Sequence, residues 1–147
     1  MEQHPKIKRP KRIWVAVGIN SIIALLALGF LAYMSLGTRV PDEVRPNIAF
    51  LMRSSGLAIL LLAASATTLV ASGKWRYTIL IAASIYFGAV IYQNMALIIS
   101  SYSSFETKFK IKLIANVVHN SAYLAINFWA ILSKKTKLYF ESKNENS

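Results

Sequence analysis

The chain lacks cysteine altogether and carries six acidic residues against seventeen Lys and Arg. Without thiols there is no disulfide, no thiolate nucleophile and no Cys-ligated zinc, and dithiol relays of the kind used by four-helix membrane oxidoreductases are excluded by chemistry. The acidic residues are scarce where they would matter most. None lies in 13–36, 47–72, 77–102 or 113–133. A small proton-coupled exporter of cations needs a buried acid to trade protons for substrate, so that class is disfavoured. Only two histidines exist, His4 and His119, and no carboxylate is close to His119 in sequence, so metal catalysis is not expected either. The segments offer no nucleophile with an orienting base, and no cofactor is implied.

What the chain has in quantity is apolar sequence. Hydrophobic residues make up 55% and charged residues 16%, against about 25% charged in ordinary soluble domains. The charges are also segregated. Lys6, Lys8, Arg9, Lys11 and Arg12 crowd the N-terminus, and residues 13–36 contain none. The formal charge of +11 is read as flanking sequence for a bilayer with anionic headgroups rather than as a nucleic-acid groove, because the basic residues border long uncharged runs.

Four apolar segments, 13–36, 47–72, 77–102 and 113–133, each reach the roughly 20 residues that span about 30 Å of hydrocarbon as a helix. The expected fold is therefore all-α: an integral membrane four-helix transmembrane bundle, preceded by a basic N-terminus, 1–12, and followed by a polar tail, 134–147. Backbone groups facing lipid tails must be satisfied within each segment, which enforces helices. GTRVPDEVRP, residues 37–46, reads as a polar loop, with Pro46 placed to start the second helix. SGKW, residues 72–75, is short enough to make the second and third helices tightly paired neighbours. In SSFETKFKIK, residues 103–112, Phe105, Phe109 and Ile111 alternate with Lys108, Lys110 and Lys112, the pattern of a loop lying at headgroup level. In the tail, Leu138, Tyr139 and Phe140 are expected on the membrane surface and KNENS frayed.

Orientation follows from the basic residues. With the N-terminus inside, the inner side holds the five N-terminal residues, Lys74, Arg76, Lys134, Lys135, Lys137 and Lys143, and the outer side Arg39, Arg45, Lys108, Lys110 and Lys112. That asymmetry predicts N-in/C-in. The basic start and the small triplet at 27–29 also resemble a secretory signal peptide, but apolar residues continue to Leu36, so the first helix is read as retained. Trp14, Tyr33, Trp75, Tyr77, Tyr102 and Trp129 stand near helix ends as interfacial anchors.

The fourth segment carries Asn116, His119, Asn120, Tyr123 and Asn127 at offsets that share one helix face. Such a stripe belongs against protein or water, either as interhelical packing or as a ligand path. Matching depths from the outer side puts Arg53, Gln93, Asn94, Asn116, His119 and Asn120 in one outer-half layer. Arg53 there would cost about 2.5–3.5 kcal/mol on insertion scales unless it snorkels or finds an oxygen. The acceptors expected for it are the amides of Gln93, Asn94 or Asn120, a bound anion or a lipid phosphate. Asn20 is the single amide of the first segment.

No motif ties the chain to a known family, and the architecture alone does not choose a function. The expected object is a multi-pass protein of a bacterial inner membrane whose partners are the lipid bilayer and another membrane protein or a second copy of itself, acting as a non-catalytic accessory or immunity-type factor. The competing reading is an oligomeric transporter or channel that holds an anion or lipid headgroup in the outer-half layer. A membrane enzyme is the distant third.

Overall fold

The computed structural model describes residues 9–70, 77–100 and 106–145. All regular structure there is helical: α1 (Lys11–Leu36), a 3-10 turn (Asp42–Val44), α2 (Ile48–Val70), α3 (Thr78–Ser100), α4 (Thr107–Leu132) and α5 (Lys134–Glu145). The four long helices form a closed ring, α1 against α2, α2 against α3, α3 against α4 and α4 back against α1. Ile13 at the start of α1 and Ile79 at the start of α3 cluster with Leu69 at the end of α2 and Ile131 at the end of α4. Neighbouring helices therefore run antiparallel. We call the end that gathers these residues the base, and the end near the 37–47 connection the mouth.

The middle of the bundle is packed on small residues. Ala24, Ala58, Ala64, Ala82 and Ala83 are buried together with Leu61 and Phe87. Alanines let helix axes approach closely, and Phe87 fills the space they leave, with its ring 5.2 Å from Tyr86 and 5.9 Å from Tyr123. Hydroxyls on α2 fold back onto their own helix, Ser65 to the Leu61 carbonyl and Thr68 to that of Ala64, at 2.7 Å each.

α1, α2 and α3 are long and apolar enough to cross a membrane, which makes this a small multi-pass membrane protein. α4, although 26 residues long, does not meet that standard by composition. The physical reason is its sequence: Asn116, His119, Asn120, Tyr123 and Asn127 interrupt the apolar run even after Lys108, Lys110 and Lys112, which lie in the helix's first turns, are passed. By hydropathy, then, three of the four expected spans are met, and α4 is a mixed helix.

Other expectations are corrected by local chemistry. The 103–112 loop is helical from Thr107, which brings its lysines into the first turns of α4. Asn47, not Pro46, starts α2: its side-chain oxygen accepts from the Phe50 N–H at 2.8 Å, leaving Pro46 outside the cap. At the end of α1, the Gly37 N–H donates to the Tyr33 carbonyl at 2.8 Å, and a Cβ at Gly37 would lie 2.5 Å from that oxygen. The 72–75 link, Phe105, Trp75 and Tyr102 lie outside the described residues.

The tail is the largest departure. It forms α5, which runs through Lys143–Glu145 of the stretch expected to fray, residues 146–147 lying outside the described residues, with Ser133 at its N-cap accepting from the Thr136 N–H at 3.4 Å. The Thr136 hydroxyl donates in turn to the Ala130 carbonyl at 2.6 Å. Phe140 is 1% exposed and packs with Ile13, Val17, Ile79 and Ile131. It closes the base of the bundle rather than lying on a membrane surface. Of the expected surface trio only Leu138 stays well exposed.

Candidate functional site

Amides hold the bundle together at two levels. Near the base, Asn20 on α1 and Asn127 on α4 are both 0% exposed and exchange two hydrogen bonds, 2.7 Å from Asn20 Nδ2 to Asn127 Oδ1 and 3.0 Å in return. Asn127 Nδ2 also donates to the Tyr123 carbonyl of its own helix at 2.9 Å. The pair ties the first helix to the last, and each amide satisfies the other, so neither is left unpaired in an apolar interior. Sequence reading did not pair them. The signal was available in depth: Asn20 lies seven residues after Ile13, and Asn127 six residues before Ser133.

Nearer the mouth, Asn120 Nδ2 donates to the Asn116 carbonyl at 2.7 Å and to Asn116 Oδ1 at 2.9 Å. Asn116 Nδ2 donates to Asn94 Oδ1 at 3.3 Å, and Asn94 Nδ2 to the Val90 carbonyl at 2.7 Å. Of the six residues assigned to the outer-half layer, the structure joins these three in one chain across α3 and α4. Gln93 lies beside them on the wall of a cleft. Arg53 and His119 are exposed and line neither cavity described below; among the described residues neither bonds to the amides.

The cleft has a volume of about 340 Å³ and opens between the mouth ends of the four long helices. Ser54, Tyr86, Gln93, Asn94 and Asn116 supply its polar wall, and Phe30, Leu31 and Phe50 part of its apolar wall. A second hollow of about 430 Å³ shares those three apolar residues and reaches Met34, Arg45 and Pro46. Arg45 is already paired with Asp42 at 3.2 Å. No charged side chain lines the inner cleft. Among the described residues, no group of three or more His, Cys, Asp or Glu is placed to hold a metal ion.

The base is of a different character. Arg9 donates to the Leu69 carbonyl at 2.6 Å and to the Tyr139 hydroxyl at 3.2 Å. Leu69 is in the last turn of α2, whose carbonyls have no partner within the helix, so a cation there both caps it and meets the negative end of its dipole. Arg9 also stacks 5.2 Å from the Trp14 ring, and Arg12 lies 4.4 Å from that of Trp129. Residues read as interfacial anchors thus carry guanidinium groups on their faces.

No family model, curated protein or solved structure matches this chain.

Proposed function

We propose that this chain is a four-span, non-catalytic interaction protein of a cytoplasmic membrane, with both termini on the cytoplasmic side, which acts by packing its outer helix faces against another membrane protein. The observation that carries the reading is how the interior polar groups are used. The asparagine amides of α1, α3 and α4 bond to one another, and Leu61, Phe87 and Phe140 fill the middle and the base. An interior closed in this way supports a packing unit over a single-chain conduit.

The fourth crossing is favoured by packing rather than hydropathy. α4 lies along α3 and closes the ring onto α1, and 26 residues correspond to about 39 Å of helix. Two of its amides, Asn120 and Asn127, are buried inside the bundle, where lipid does not reach them, and the exposed Asn116 bonds to Asn94 beside the cleft. The shared end of Arg9 and α5, together with the Lys and Arg asymmetry, favours N-in/C-in. Because the chain has no native cysteine, single cysteines can be introduced without background. Residues at 9, 39 and 138 should react with impermeant maleimide from the inner, outer and inner side respectively; labelling of 9 and 138 from opposite sides would overturn the topology. For the interaction itself, tagged protein extracted in mild detergent should carry one stoichiometric membrane partner, lost on replacing Leu25 and Leu26 of the outer α1 face with alanine. A partner-free monomer that conducts ions in liposomes would replace this reading with transport.

A further inference from the structure

The mouth cleft holds hydrogen-bonding groups that the fold does not use. Ser54, Tyr86 and Gln93 line it, and among the described residues none of the three side chains has a hydrogen-bond partner. Every fully buried side-chain nitrogen or oxygen among the described residues does have one. The free groups of these three residues are therefore not fully buried, and all three residues line the cleft. Together they supply two hydroxyls and a primary amide, each able both to donate and to accept. Leaving such groups idle in an apolar setting is costly.

The charge pattern limits what can meet them. An anion in the cleft would face no cation, because Arg53 and His119 line neither cavity and Arg45 lines only the outer hollow, paired with Asp42. A cation would face no carboxylate. Desolvating either without a counter-charge is strongly unfavourable. The volume of about 340 Å³ is at the low end of the roughly 300–1,000 Å³ typical of small-molecule sites, enough for one small head and part of a chain. The adjoining hollow, sharing Phe30, Leu31 and Phe50, extends the apolar wall.

We propose that the mouth cleft binds a neutral, single-tailed amphipath of the monoacylglycerol type, its hydroxyl and carbonyl groups on Ser54, Tyr86 and Gln93 and its hydrocarbon against Phe30, Leu31 and Phe50. This site does not depend on the interaction reading: the partner capture described above can fail or succeed without it.

The test uses the full chain in phosphatidylcholine nanodiscs and a monoacylglycerol carrying a diazirine on its acyl chain. Labelling should saturate, map to peptides of α1 and α2, and be displaced by monooleoylglycerol. Oleate, which has the same chain and a charged head, and hexadecane, which has no head, should not displace it. Tyr86→Phe and Gln93→Leu should each weaken binding about 2–10-fold, the value of one or two neutral hydrogen bonds. Arg53→Ala and His119→Ala should leave it unchanged. Retained melting temperature and gel-filtration profile show that each variant is folded; Tyr86→Phe removes one oxygen and keeps the ring packing. Unsaturable labelling, equal displacement by oleate or hexadecane, or unchanged binding in both folded cleft variants would overturn the proposal.

Discussion

At the base, Asn20 and Asn127 exchange two hydrogen bonds between α1 and α4, Arg9 caps α2 while touching α5, and Phe140 fills the space between three helices. At the mouth, the Asn94–Asn116–Asn120 chain joins only α3 and α4, and Ser54, Tyr86 and Gln93 face open volume. The same residue types, amides and aromatics, thus close one end and leave the other with spare bonding capacity. A bundle needs one well-tied end to define its register. The other end can then keep a cavity at little cost to the whole.

That contrast can be broken by measuring reversible unfolding in mixed detergent and SDS micelles. The largest effect is expected for Phe140→Ala, at about 3–5 kcal/mol for deleting a buried ring, with proteolysis then cutting within α5; a loss below about 1 kcal/mol would mean the base is not closed by this side chain. Asn127→Leu should follow at about 1–3 kcal/mol, because it leaves the fully buried Asn20 amide without its partner. The double variant Asn20→Leu, Asn127→Leu should recover part of that loss, and a strictly additive result would show that the two amides are not coupled. Arg9→Ala should cost about 1 kcal/mol by uncapping α2, and fraying at Leu69 in amide exchange would locate the effect. At the mouth, Asn116→Ala should cost only about 0.6 kcal/mol, the usual value of a hydrogen bond between membrane helices. If Asn116→Ala proved costlier than Asn127→Leu, the assignment of the tied and open ends would be reversed.

Helix number and placement were largely legible because hydropathy and helix length are set locally. The segment 13–36 became α1, Lys11–Leu36, and 77–102 contains α3, Thr78–Ser100. The tail was misread because its signals are short. A Ser133 cap and one buried phenylalanine decide whether 134–145 is a helix, and their value depends on a surface built by α1, α3 and α4. The site was legible in part. Shared depth brought Asn94, Asn116 and Asn120 together, since rise per residue is fixed. Depth does not fix rotation about a helix axis, so it could not place Arg53 and His119 on exposed faces, nor find Tyr86, which reads as a core aromatic.

From its own order of residues, then, the chain determines that it is helical, apolar enough to meet lipid along three of its helices, and basic at its ends, because each of these depends on neighbours within a few turns. Only the assembled bundle decides which amides meet, that Phe140 seals the base, and that a cleft free of charged side chains remains at the mouth. Those outcomes depend on rotation and contact between distant segments, 107 positions apart for the Asn20–Asn127 pair, and no local pattern encodes such contacts.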